Sequence, residues 1–525
     1  MARQIHSRLK ISGQLLAETP LHVGGIGGNT DSDMALAVNG KGELYVPGTS
    51  ITGVLRAWCE KNFGENEIGE IFGPKREKGV DAGHASFVLI EDATIENAKD
   101  VLTEIRDGVG IDRFYGTAAD KSKFDREILP KGTILDFKMT VEIGENLNAN
   151  QTKAIFSHLL EALHNGKLRF GGSRTRGLGK LKLTETSFKE QNLKGFANIL
   201  KVLKKEADDV VITDEIKQSI AFEANPHLDI TIDWSPVQPV MVKAGFEGFG
   251  VDMLPLTSQT VNGKVALVLP GSSIKGALRS HAERIMRTVL GNHKTKGKEF
   301  HEQIKNIPLI DEMFGAKAEK NGNGKKGLGA LAIDDCFAEN TFDADDWNAV
   351  TIGKTKENNE DLSYERQELW KALRKLDGAD VNVIEQVKKD TETFKVNHHN
   401  AIDRFTGGAA DSALYSVLAP TKIAWEKMQF SLDLSRPENP KQCLMLLLLV
   451  LRNLSENRLP LGFATNRGMG EIKVKSIKLE GKNLEGFENE MILDEGKMSE
   501  LDKTFRENLN EEWKEWLKQQ NSLTQ

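Results

Sequence analysis

Two aspartates, Asp33 and Asp252, stand 219 positions apart in glycine-bearing loops, "GGIGGNTDSDMALAV" and "AGFEGFGVDMLPLTS", and each is followed by Met and an apolar stretch. A carboxylate in such a loop can orient or deprotonate a hydroxyl, or share a divalent cation through its oxygens. Beside RNA that hydroxyl would be a ribose 2'-OH. An Asx turn that only shapes the loop explains the same spacing. Asp31 offers a further carboxylate in the first loop, where Gly24 and Gly25 open the backbone. His22 precedes that loop, but Met241 takes its place in the second, so proton transfer by His22 would belong to one loop alone. His398 and His399 fall where the first half has Asp107 and Gly108, and no histidine has metal-ligand spacing.

A second chemistry-bearing stretch is "KLRFGGSRTRGLGKLKL" at 167 to 183, with Lys167, Arg169, Arg174, Arg176, Lys180 and Lys182 and no acid. Its glycines, Gly171, Gly172, Gly177 and Gly179, allow close backbone approach to a phosphate, and the cations supply tight, salt-dependent contacts. A plain glycine turn carrying solvated charges is the alternative. The related "RLPLGFATNRGMGEIKVK" at 458 to 475 retains Arg467, Gly468 and Gly470 but is less basic. Neither loop is a Walker or Rossmann phosphate cradle, because no GxxxxGK[ST] is present and the chain leads into a strand rather than a helix. The Pro-Gly-Thr/Ser-Ser turns before Arg56 and Arg279 do open helices, so their amides could receive an anion or simply cap a core helix.

The elements that position these residues are written twice. "IDRFYGTAAD" (111 to 120) and "IDRFTGGAAD" (402 to 411) share eight of ten letters at an offset of 291. "LYVPGTSITGVLR" (44 to 56) answers "LVLPGSSIKGALR" (267 to 279) at 223, and "IGEIFG" (68 to 73) answers "IDEMFG" (310 to 315) at 242. The two glycine-rich loops again lie 291 apart, so four collinear matches make the chain two copies of one unit, the second lengthened by insertions. Each copy reads as strand, glycine loop, strand, helix, polar segment, strand, helix, glycine loop and strand. That is an α+β pattern of two tandem RRM-like or ferredoxin-like units. Ile51, Val54, Leu55 and Trp58, and in the second copy Ile274, Ala277 and Leu278, give the first helix a buried stripe, with Ser50 and Ser273 expected at the N-cap. The expected divisions are 1–205, 206–485 with insertions near 293–306 and 351–390, and a helical tail at 486–525.

Composition agrees with a large folded protein. At 525 residues, with 39% hydrophobic and 28% charged residues, the chain is too long for a stapled miniprotein and too apolar for disorder. Cys59, Cys336 and Cys443 form no CxxC pair, which fits a reducing cytoplasm, and the N-terminal stretch lacks a secretory pattern. The apolar run "CLMLLLLVL" is nine residues long where about 20 span a bilayer, so it is expected to be a core helix. The net charge of -7 requires any nucleic-acid surface to be local.

Taken in order, "LHVGG", "LYVPGTSITGVLR", "EIFG", "IDRFYGTAAD" and "GGSRTRGLG" resemble the motif set of the RAMP (repeat-associated mysterious protein) superfamily. The chain looks most like two fused backbone subunits of a type III CRISPR effector complex, a feature of subtype III-D-like systems. The resemblance implies a thumb built around each decapeptide and a surface gripping CRISPR guide RNA. It also implies cleavage of complementary target RNA at Asp33, with Asp252 matching by position, and a divalent metal, Mg2+ or Mn2+, at those aspartates. The RNA-binding set it suggests is Arg56, Arg113, Arg174, Arg176, Lys180, Lys275, Arg279, Arg404 and Arg467. Its partners would be other backbone, large and small subunits, with no membrane. A scaffold that binds guide RNA without cutting is the alternative it leaves open.

Overall fold

The computed structural model describes residues 4–25, 32–75, 83–96, 102–245, 251–260, 263–291, 298–316, 327–344, 347 and 394–523. Asp31 and the insertion near 351–390 lie outside them. The chain forms two compact units. The first comprises Met1–Arg106, Asp125–Arg174 and Leu178–Asn225, and the second Asp107–Phe124, Thr175–Gly177 and Pro226–Gln525. The main division therefore comes after Asn225, and the tail at 486–525 is built into the second unit.

The first unit is organised by β1 (Ile5–Ala17), whose alternation puts Leu9, Ile11, Leu15 and Ala17 inside. Around it follow α1 (Gly48–Phe63), β2 (Val88–Ile90), β3 (Ile134–Gly144), α2 (Ala149–His164) and β4 (Leu181–Asn192). The sheet runs β4-β1-β3-β2, with β1 antiparallel to both neighbours. Helix α1 buries Ile51, Leu55, Cys59 and Phe63, and Val54 and Trp58 pack at the margin of the same core. Helix α2 adds Ile155, Leu159 and Leu163, and its N-cap Asn148 accepts hydrogen bonds from the amides of Asn150 and Gln151.

The second unit repeats the plan with β5 (His227–Pro236), α3 (Gly271–Val289), β6 (Leu331–Asp334), β7 (Met428–Asp433), α4 (Pro440–Ser455) and β8 (Ile472–Lys482). Its sheet order β8-β5-β7-β6 is equivalent, so both units have the ferredoxin-like α+β arrangement. The apolar run at 443–451 is the buried face of α4. The final helix, α5 (Lys503–Leu523), packs on α4 and buries Trp513 and Trp516 in this unit's own core. No helix among the described residues is long and apolar enough to cross a membrane.

Each decapeptide sits at the turn of a hairpin, Glu104–Ile111 with Ala118–Ile128 in one case and Phe394–His399 with Tyr415–Pro420 in the other. Its Asp explains the conserved spelling. Asp112 Oδ1 accepts from the amides of Phe114 (2.7 Å) and Tyr115 (2.8 Å), and Asp403 Oδ1 from those of Phe405 and Thr406 (both 2.8 Å). These backbone donors hold both carboxyls below their usual range.

The helix starts correct one expectation. Pro47 and Pro270 are the N-caps, not Ser50 and Ser273, and neither cap uses a side chain. Instead the first helical amide is met from a distant strand end: Gly48 N donates to Asp92 Oδ1 and Gly271 N to Asp335 Oδ1, each at 2.7 Å. A carboxylate of the chain already occupies the positive end of each helix, so the turn is not an open anion site.

Candidate functional site

In both units the two glycine loops that are far apart in sequence lie back to back. His22 O accepts from Gly172 N at 2.7 Å, and Met241 O accepts from Phe463 N at 2.7 Å. The close approach requires Gly171 (φ +72°) and Gly462 (φ +85°), because an added Cβ would lie 2.0 Å from His22 O and 2.2 Å from Met241 O. Gly179 and Gly470 complete the contact by donating to Pro20 O (2.8 Å) and Pro239 O (2.9 Å).

On this shared frame the first unit presents an acidic and polar shelf. Asp33 is exposed, and it exchanges hydrogen bonds with Asp125 on the strand Ala118–Ile128. Asp33 N donates to Asp125 Oδ1 at 2.6 Å, and Asp125 N donates to Asp33 Oδ2 at 3.1 Å. The exchange uses one oxygen of each carboxylate, leaving Asp33 Oδ1 and Asp125 Oδ2 outside it. The next two strand residues continue the shelf. The Arg126 guanidinium reaches Ser173 Oγ and Met34 Sδ, and Glu127 Oε2 accepts from Leu36 N at 3.0 Å. His22 Nδ1 sits 2.7 Å from Glu127 O, so that nitrogen carries the proton, and burial lowers the ring's pKa. The buried, neutral ring is thereby a brace for the two loops.

The second unit answers each of these residues with a quieter one. Asp252 Oδ2 accepts from both Ser416 N (2.6 Å) and Ser416 Oγ (2.8 Å), and Asp252 N donates back to Ser416 Oγ at 3.1 Å. Those bonds hold its carboxyl below the usual carboxylate range. Ser416 occupies the position of Asp125. Val417 and Leu418 replace Arg126 and Glu127, and Val417 packs with Met241, Ala419 and Met469. Residue types and spacing alone point to Asp33 and Asp252. Asp125 was missed because its role arises from strand pairing, though extending the 291 offset past the decapeptide exposes the Asp125/Ser416 difference.

As a candidate metal site, Asp33 and Asp125 supply oxygen donors only. Among the described residues no group of three or more His, Cys, Asp or Glu side chains could hold an ion. Two carboxylates fit a hard divalent ion that takes its remaining ligands from phosphate and water, and do not form a closed protein cage.

The cations expected to bind RNA separate into two groups. Arg113 and Arg279 both pair with Glu283, which is 2% exposed, at 2.6 and 2.9 Å. Arg279 also donates to Gly315 O at 2.7 Å, and Arg56 pairs with Glu60 at 2.7 Å. Lys180 faces Glu18 at 3.3 Å. Lys275 is a correction: it is 4% exposed and its ammonium donates to Leu331 O at 2.6 Å, so it cannot present charge to a phosphate. Arg176, Arg404 and Arg467 are exposed, Arg174 is half-buried, and Arg467 lies over the Tyr415 ring and donates to its hydroxyl. Gly24, Gly25 and Gly468 are exposed, whereas Gly177 is buried within the second unit. Two exposed aromatics at the hairpin tips, Phe114 and the 99% exposed Phe405, are further candidates that charge and spacing did not single out.

The RAMP superfamily model matches residues 14–182 and 237–473. Among curated proteins, the chain is 26% identical over 245 residues to the "CRISPR system Cms endoribonuclease Csm3" of Methanocaldococcus jannaschii, covering 41% of this chain and 94% of that protein. It is also 26% identical over 201 residues to the protein of the same name from Streptococcus thermophilus, covering 33% of this chain and 86% of the relative.

Proposed function

This chain belongs to the RAMP superfamily, and from that premise we propose that it is a two-unit backbone subunit of a type III CRISPR complex whose first unit cuts target RNA. The observation that carries the reading is the contrast between the Asp33/Asp125 exchange on a polar shelf and the Asp252 carboxylate tied twice to Ser416 on an apolar one. The relatives named as endoribonucleases support the reaction class. Guide RNA would lie along the exposed cations Arg176, Arg404 and Arg467 and the half-buried Arg174, with Phe114 and Phe405 stacking on bases. Base pairing with the guide would select the target, and the other backbone, large and small subunits would complete the complex.

The proposed reaction is attack of a ribose 2'-hydroxyl on the adjacent phosphorus. The 2'-oxygen–phosphorus bond forms as the bond to the 5'-oxygen breaks, and the departing 5'-oxygen takes a proton from water, giving a 2',3'-cyclic phosphate and a 5'-hydroxyl end. Asp33 Oδ1 orients the hydroxyl and accepts its proton, while the bond from Asp125 N holds the carboxylate's other oxygen. A divalent ion, Mg2+ or Mn2+, held by Asp33 and Asp125 would neutralise charge on the phosphate. The neutral His22 braces the loops through Nδ1.

The deciding experiment is cleavage of end-labelled complementary RNA by the guide-loaded assembly, with and without magnesium. The unaltered protein is compared with Asp33→Asn, Asp252→Asn and the double variant. Loss of one cut with Asp33→Asn, with RNA still bound, supports the reading. Cuts that survive in the double variant make this chain a scaffold.

A further inference from the structure

Asparagine followed by glycine is the dipeptide at which a backbone nitrogen can reach the preceding side-chain carbonyl, because no Cβ stands in the way. Of the five such pairs in the sequence, Asn39–Gly40 and Asn165–Gly166 lie wholly among the described residues, and the fold treats them differently.

Asn39 opens a tight turn in the first unit. Asn39 N donates to Glu43 O at 2.8 Å, and Gly42 N donates back to Asn39 O at 3.0 Å. The side chain is gripped at both ends. Asn39 Oδ1 accepts from Lys41 N (2.9 Å) and Glu43 N (3.0 Å), and Asn39 Nδ2 donates to Glu43 Oε2 at 2.9 Å. Two amide donors on one carbonyl oxygen polarise Cγ, and they stand where negative charge would develop if a nucleophile added to that carbon, as in an oxyanion hole. The nucleophile is the next nitrogen along the chain. Gly40 is exposed, an added Cβ would meet nothing within 4 Å, and among the described residues Gly40 N donates to no acceptor.

Asn165–Gly166 has the same letters and none of this. Gly166 is buried, its nitrogen donates to Leu163 O at 3.1 Å, and an added Cβ would lie 2.7 Å from Glu18 Oε2. Among the described residues no amide donates to the Asn165 side chain.

We infer that Asn39 is a site of spontaneous deamidation, with water as the only co-reactant. Gly40 N gives its proton to hydroxide and bonds to Asn39 Cγ. The bond from Cγ to Nδ2 breaks, and the nitrogen leaves as ammonia with a proton from water. Water then opens the cyclic imide at one of its two carbonyls, leaving an aspartate or an isoaspartate at position 39. Nothing is oxidised or reduced. Either product replaces the donor facing Glu43 Oε2 by a like charge, and isoaspartate also lengthens the backbone inside the turn that pairs Val38 with Leu44. The segment leading into this turn holds the first glycine loop, through Ala37 N to Val23 O (2.9 Å) and Gly25 N to Ala35 O (3.1 Å). Modification therefore strikes the ribbon that carries the Asp33 loop. The inference is independent of RNA cleavage.

The test is peptide mapping of the full chain held at mildly alkaline pH, folded and in urea, with fragmentation that tells isoaspartate from aspartate. In the folded chain Asn39 is expected to convert at least about tenfold faster than Asn165, and no slower than it does in urea, where the two sites should converge. Gly40→Ala fits the open turn, so it is expected to keep the melting temperature while its methyl group slows conversion of Asn39 by about tenfold. Equal rates at the two sites in the folded chain, a gap that persists in urea, slower conversion of Asn39 in the folded chain than in urea, or an unchanged rate in Gly40→Ala would overturn the proposal.

Discussion

At the two equivalent loops the backbone is the same and the side chains are not. Gly171 and Gly462 press against His22 O and Met241 O in one geometry, yet the first loop faces Asp125, Arg126 and Glu127 while the second faces Ser416, Val417 and Leu418. Duplication preserved what the fold needs, and the residues that differ are those to which the proposed reaction assigns the chemistry. An aspartate retained in both loops is thus a poor guide by itself, since one oxygen of Asp252 is tied twice to Ser416 as a local brace.

The largest expected effect breaks the comparison outright. Asp33→Asn should lower the rate of its cut by about 10²- to 10⁴-fold with RNA affinity kept, whereas Asp252→Asn should leave every cut in place; single-turnover cleavage reads both. Importing the second unit's residue should be milder: Asp125→Ser is expected to slow the same cut by about tenfold to a hundredfold, as part of a shared carboxylate site. Ser416→Asp should create no new cut, because Val417 and Leu418 stay apolar.

A structural pair of variants tests the common frame. Gly171→Ala and Gly462→Ala should each destabilise their unit by at least about 1–3 kcal/mol, from the positive φ and the clash with a carbonyl. Denaturant melts should show comparable losses.

Acid separates the units at one helical position, Trp58 in the first and His281 in the second. Burial, aided by Arg284, pulls the His281 pKa down to about 4. Arg284 lies 2.8 Å from His281 Nδ1, where a guanidinium donor needs an unprotonated nitrogen and so favours the neutral ring, and Asn453 Nδ2 lies 2.8 Å from Nε2. The unfolded chain binds a proton near pH 6.5 that the folded chain refuses until about 4, so this site's contribution to stability falls as pH drops through that window. The melting temperature of His281→Gln should depend less steeply on pH there. Smallest of all, Arg176→Ala and Arg467→Ala should weaken RNA binding regardless of sequence and each flatten its salt dependence by about one phosphate contact.

Much of this was legible because it is local or repeated. The helix stripe of Ile51 and Leu55, the core run of α4 and the duplicated order all follow from periodicity and offsets. The residues that misled are those whose partners come from far along the chain. Lys275 reads as a surface cation until its ammonium is found on Leu331 O, and Ser50 reads as a cap until Asp92 supplies the carboxylate. Long-range pairing likewise hid Asp125, whose backbone and carboxylate meet Asp33 from 92 residues away.

The interleaving of the units has a consequence for synthesis. Asp107–Phe124 is made early but belongs to the unit whose remaining chain, apart from Thr175–Gly177, starts at Pro226, and Arg113 meets Gln303 across 190 residues. At roughly 5–20 residues per second, the ribosome leaves that hairpin without its seat for about 10–40 s. During that interval the turn carrying Phe114 and Tyr115 has its own Asp112 bonds and the pairing of its two strands, so the small Asx-capped hairpin acts as a placeholder until the rest of its unit emerges.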